Sequence, residues 1–183
     1  MREPLPFRLI AITEQRLGAC DLPKLAAQAG AVLLRDKTLP RATRLRFGQQ
    51  LRESTTQLGI PLLVHGDVEL ANEIGADGVH FSSTQAVVHS GSLLVGISCH
   101  SHSELQRAEQ QHADYALLSP VLDSPGKTNP LGWTTFSNLV ERTPVPVFAL
   151  GGLGPGDLPE ARRHGAWGVA GIRAFMKPGK SAS

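Results

Sequence analysis

Residues 75–79 read "GADGV" and residues 165–169 read "GAWGV". Each opens with a glycine suited to stop a helix and runs at once into residues suited to a strand. "AGAVLL" (29–34) has the same character. A recurring joint of helix, glycine and strand marks repeated βα units, and such units build a parallel sheet with right-handed crossovers.

Eight short apolar runs continue this pattern: "FRLIAIT" (7–13), "AVLLRD" (31–36), "PLLVHG" (61–66), "GVHFS" (78–82), "LLVGISC" (93–99), "YALLSPV" (115–121), "VPVFALG" (145–151) and "GVAGIRAF" (168–175). Continuous apolar runs suit strands covered on both faces. Between most of them lie segments with helical punctuation. Ser101 with Glu104, and Asp157 with Glu160, have the spacing of capping boxes. Pro40 suits the first turn of a helix, and Gly59 suits its end. Eight such strands close most economically into a (β/α)8 barrel, with an open doubly wound sheet as the alternative. At 183 residues the chain is short, since the barrel usually needs about 200 or more. The shortfall falls on "STQAVVHSGS" (83–92), a stub of a helix, and after Phe175, where only "MKPGKSAS" remains. The eighth helix is therefore predicted to be missing or replaced. One domain is expected over 1–176, with a disordered tail over 177–183.

A hydrophobic content of 41% fills one core of this size. The net charge of +2, with both signs scattered, argues against a nucleic-acid stripe or a membrane surface. Cys20 and Cys99 form no metal or redox motif, and a reduced, cytoplasmic protein is the default. Charges and prolines interrupt the N-terminus where a secretory signal would be apolar, and no run is long enough to span a bilayer.

The carboxyl ends of barrel strands form the active face. In "VLLRDKTLP" (32–40) an apolar run breaks into Arg35, Asp36 and Lys37. Alternation sends Arg35 and Lys37 one way and Asp36 the other. Other polar candidates at strand ends are His65, Asp67, His80, Ser98, His100, Ser124, Lys127 and Arg173. Cations dominate, so the mouth suits an anion. "GGLGPGD" (151–157) offers backbone N–H groups between strand seven and a capped helix, a phosphate cradle or simply a tight turn. Arg173 beside it favours phosphate. The long loop "SPVLDSPGKTNPLGW" (119–133) could fold Lys127 over a bound anion. His65, His80 and His100 lie on adjacent strand ends, yet their spacing matches no compact zinc motif and Asp67 opens a helix, so hydrogen-bonded histidines are the better reading. Ser98 and His100 face one way without a nucleophile elbow, which argues against nucleophilic hydrolysis.

Taken together, "LLRDKTLP", "PLLVHGDVELANEIGADGVHFSS", "GISCHS", "ADYALLSPVLDSPGK" and "VPVFALGGLGPGDL" with "HGAWGVAGI" resemble thiamine-phosphate synthase and its relative TenI. The likeness spans nearly the whole chain in order and implies a barrel. The end of the chain is also similar to the synthase-like domain fused to MutT-type Nudix hydrolases. The resemblance implies chemistry in which a pyrimidine diphosphate joins a thiazole phosphate with loss of diphosphate. The family's Gln-x-Arg-x-Lys motif falls on Leu33, Arg35 and Lys37, so its cations persist and its glutamine does not. The implied substrate-binding residues are Arg35, Lys37, Ser98, Ser124, Lys127, Gly152, Ile172 and Arg173.

The departures bear on catalysis. The synthase's Asn-Asp pair falls on His65 and Gly66, and its Gln-Glu-Asp falls on Ser83, Thr84 and Gln85. Gly66 and Gln85 thus replace the expected magnesium carboxylates, and no cofactor is assigned. The catalytic histidine of TenI falls on Pro120. His65, His80 and His100 are the candidate catalytic groups. Two readings stand: a synthase-like transferase or thiazole-phosphate isomerase of thiamine metabolism, or a non-catalytic phosphate-ligand-binding module partnered with a Nudix hydrolase domain. A second copy in a homodimer, a Nudix domain or the N-terminal segment is the expected cover for the groove left by the eighth helix.

Overall fold

The computed structural model describes residues 5–13, 22–36, 38–124, 126 and 129–176. Each of the eight apolar runs contains a strand: β1 (Leu9–Ile12), β2 (Ala31–Leu34), β3 (Leu62–His65), β4 (Gly78–Phe81), β5 (Leu94–Cys99), β6 (Tyr115–Leu118), β7 (Val147–Leu150) and β8 (Gly168–Gly171). They pair in parallel in chain order, and β8 pairs with β1. The sheet is a closed barrel, which rules out the open doubly wound alternative.

The helices between them are α1 (Leu22–Ala27), α2 (Arg41–Leu58), α3 (Val68–Glu73), α4 (His102–Gln110), α5 (Gly132–Val140) and α6 (Leu158–Arg163). A single turn, α7 (Arg173–Met176), follows β8. The tail predicted over 177–183 lies outside the described residues. The stub predicted over 83–92 forms no helix, so β4 passes to β5 through turns alone. No helix among the described residues is long and apolar enough to cross a membrane.

The two glycine joints work alike. Gly75 and Gly165 sit just past α3 and α6 with φ of +65° and +85°. A left-handed residue there lets the next N–H groups reach back to the last helical carbonyls: Ala76 bonds Ala71 O at 2.8 Å and Ala166 bonds Ala161 O at 3.0 Å. The chain then turns straight into the sheet. The second glycine is a packing requirement, since a Cβ on Gly168 would lie 2.1 Å from Arg8 O. Gly30 in "AGAVLL" shares only this second role; its Cβ would meet Phe7 Cβ at 3.0 Å.

Other punctuation fits with two adjustments. Pro40 stands at the N-cap of α2, and Gly59 closes it with φ +66°. Ser101 Oγ accepts from Glu104 N at 3.3 Å, while the Glu104 carboxylate bonds the N–H of His100, one residue before the cap. Asp157 does not cap α6: its Oδ2 accepts from Gly154 N at 2.8 Å and closes a 3-10 turn over Pro155–Asp157. Glu160 reaches forward instead, to His164 Nε2 at 3.0 Å.

Alternation sorts side chains into two layers. Val32, Leu34, Leu62, Val64, Val79, Ile97 and Val147 point outward and bury against the helices. Ile10, Leu33, Leu63, Tyr115, Leu117, Phe148 and Ala170 fill the interior, and Phe7 closes the amino-terminal end against Tyr115 and Phe148. The barrel is therefore a packed core rather than a pore.

Candidate functional site

Along β2 to β6 the inward row turns polar toward the carboxyl end. Leu33 gives way to Arg35, Leu63 to His65, Gly78 to His80 and Ser82, Gly96 to Ser98 and His100, and Leu117 to Ser119. On the other side of the mouth, Leu150 is followed in the same row by Gly152, and Ala170 by Ile172. The polar residues of these rows, with Gly152, Ile172, Ser124, Gly126 and Arg173, line one cleft of about 510 Å³. Its described lining contains two arginines and no carboxylate. Of the eight candidate substrate-binding residues, Arg35, Ser98, Ser124, Gly152, Ile172 and Arg173 therefore meet in one place. Lys37 and Lys127 lie outside the described residues.

Arg35 is aimed by its backbone. Its N–H donates to Thr13 Oγ1 at 2.9 Å, and that hydroxyl donates to Asp36 Oδ2 at 2.9 Å. Asp36 is buried and Arg35 exposed, as alternation requires. Across the mouth, Gly152 has φ +68°, and a Cβ there would lie 2.6 Å from Asp123 O. The loop after β6 is strapped to it, with Val121 N bonding Leu150 O at 2.9 Å and Leu122 N bonding Gly151 O at 3.1 Å. Arg173 is not part of a strand: β8 ends at Gly171, and Arg173 opens α7.

The floor is a histidine–hydroxyl network. His80 is buried, with Nδ1 at 3.1 Å from Tyr115 Oη and Nε2 at 2.9 Å from Ser98 Oγ. Ser98, which shares a strand face with His100, thus pairs instead with His80 on the neighbouring strand. His100 turns to the other side, its Nδ1 at 2.7 Å from Ser119 O. His65 lies beside His80 with ring centroids 5.9 Å apart. Complete burial raises the pKa of Tyr115, so its phenol stays protonated. Cys99 points to the helix layer; burial pushes its thiol up to about 12, so it is inert as a nucleophile.

A second, smaller cleft of about 200 Å³ lies beside His65, lined by Asp36, Arg44, Gly66, Asp67 and Gln85. Gly66 has φ +63°, and a Cβ there would meet Gln85 Nε2 at 2.6 Å. The Gln85 amide is fixed in turn, its Oε1 accepting from Ser82 N at 2.8 Å. Asp67 caps α3 through Leu70 N at 2.9 Å and pairs with Arg44 Nη2 at 3.0 Å. Among the described residues, no group of three or more His, Cys, Asp or Glu is gathered closely enough to hold a metal ion.

Sequence reasoning missed Tyr115, Thr13 and Ser119. Tyr115 is the only tyrosine and sits opposite Gly96, a pairing whose meaning depends on barrel register. Thr13 reads as an ordinary strand end.

A family model described as thiamine monophosphate synthase matches residues 9–175. A thiamine-phosphate synthase from Limosilactobacillus fermentum is 34% identical over 82% of this chain and 78% of its own length. One from Methanoculleus marisnigri is 30% identical over 94% and 89%. The solved structure of the thiamine phosphate pyrophosphorylase from Pyrococcus furiosus superimposes with a TM-score of 0.83 at 26% identity, covering 94% of this chain and 89% of that one. With the barrel, the matched span and these relatives in agreement, the chain belongs to the thiamine monophosphate synthase family.

Proposed function

We propose that the cleft binds a phosphorylated ligand of thiamine metabolism, either thiamine phosphate or its thiazole-phosphate and diphosphate precursors, and that the protein is a transferase of the relatives' named kind. The observation that carries this is the cleft lining, where Arg35 and Arg173 stand with Gly152 and no carboxylate among the described residues. Guanidinium groups hold phosphate oxygens through charge-assisted, often bidentate bonds. In the synthase reaction the methylene carbon borne by the pyrimidine loses diphosphate, the C–O electron pair leaving with it, and the thiazole nitrogen supplies the pair for the new C–N bond. Fixed cations at the departing oxygens favour that step.

Magnesium does not fit the positions where the family places its acids. Gly66 has no side chain and Gln85 presents an amide, which is a poor substitute for a carboxylate toward this hard cation. Asp67 is already committed to Leu70 N and Arg44. The same observation supports a second reading, a binding module without turnover.

Two measurements separate them: thiamine phosphate formation from the pyrimidine diphosphate and thiazole phosphate, with and without magnesium, and calorimetry with thiamine phosphate. Turnover above background is the expected result. Binding without turnover would select the module, and the absence of both would overturn the ligand assignment.

A further inference from the structure

The floor of the cleft has a direction. Tyr115 Oη has one hydrogen-bond partner among the described residues, His80 Nδ1. Its ring packs against Phe7 and Phe148, so a phenol proton turned away from His80 would enter apolar surroundings. An unsatisfied buried donor is costly enough to bias such an equilibrium by about tenfold or more. Tyr115 therefore donates to Nδ1, which leaves the proton of neutral His80 on Nε2. Nε2–H then donates to Ser98 Oγ, 2.9 Å away. Ser98 is half-buried on the cleft wall, and His80 is its only hydrogen-bond partner among the described residues. With one lone pair occupied, its own proton is the group offered to a guest.

We infer that Tyr115, acting through His80, fixes Ser98 as a hydrogen-bond donor, so that the floor selects an aromatic heterocycle presenting a ring-nitrogen lone pair. This deepens the ligand assignment above and rests on it for the choice of guest. The rim grips the phosphate, and the floor reads the ring. Tyr115 is thus a positioning residue that never touches the ligand. Were the chain reversed, Ser98 would donate to His80 and offer only lone pairs, which favours a donor-bearing ring.

The test combines nitrogen NMR of the histidine rings with calorimetry on the full chain, using thiamine phosphate and inorganic pyrophosphate as probes. In the unmodified protein His80 should carry its proton on Nε2. Tyr115→Phe should mix the two tautomers and weaken thiamine phosphate about fivefold to tenfold, leaving pyrophosphate within about twofold. Ser98→Ala should weaken thiamine phosphate similarly while the His80 tautomer stays as it was, which also covers the case of a poorly folded Tyr115 variant. A proton on Nδ1 in the unmodified protein would overturn the inference, as would unchanged thiamine phosphate affinity in both variants. If neither probe binds at all, the ligand assignment fails, while the NMR arm still decides the direction of the network.

Discussion

Gly96→Ala is expected to destabilise the protein by about 3 kcal/mol, the upper end for adding a methyl group to a packed core. The added Cβ would lie 2.1 Å from Tyr115 Cζ and 2.4 Å from its Oη. Relief would require the ring to retreat, and it has nowhere to go. Phe148 stands 5.7 Å away and His80 5.5 Å away, centroid to centroid, and Phe7 closes the end of the barrel at 6.3 Å. In a domain of this size that loss lowers the melting temperature by roughly 6–12 °C. Thermal unfolding of Gly96→Ala, Tyr115→Leu and the double variant measures the clash directly. The double variant should be more stable than the two single losses added together, because the smaller side chain vacates the space. A Gly96→Ala protein that melts with the parent would mean that the tyrosine ring does not cross β5.

Arg35→Ala should weaken inorganic pyrophosphate by about 10- to 100-fold, since a hydrogen bond to a charged group contributes about 1.5–3 kcal/mol. Arg35 is exposed at the mouth, so the fold should tolerate the change. Arg35→Lys should recover part of the affinity, keeping the charge and losing the planar fork. Arg173→Ala should act in the same direction from the end of β8, two strands away around the rim. Calorimetry at two ionic strengths adds a control, because a site held by exposed cations weakens as salt screens them. Pyrophosphate affinity unchanged in both alanine variants would remove these arginines from the site.

The barrel was legible because its signals are local and repeated. "GADGV" and "GAWGV" encode a helix stop, a left-handed glycine and a strand entry within five residues. Arg35 and Ser98 follow from alternation once their strands are placed; Gly152 is legible from the glycine run and the family resemblance. What escaped depends on the closing of the barrel. Register sets His80 beside Gly96 and Gly96 beside Tyr115, so His80, Ser98 and Tyr115 become one network although 35 residues separate its ends. The partner of Ser98 escaped for the same reason: His100 shares its face of β5, yet the adjacent strand brings a closer partner, His80. Asp157 was misjudged because its spacing to Glu160 fits a capping box, while the glycines before it let the chain fold back to Gly154 N. The magnesium positions were legible only through the family resemblance; the packing of the Gln85 amide against Gly66 is a contact across two strand ends that spacing does not reveal.

The most direct trial of the phosphate site is a crystal structure of the full chain soaked in inorganic pyrophosphate. Phosphate oxygens should lie about 3 Å from the Arg35 guanidinium, on the Gly152 side of the larger cleft and within reach of Arg173. A pyrophosphate seated instead against Arg44 in the smaller cleft, or at the amino-terminal end near Arg8, would contradict it.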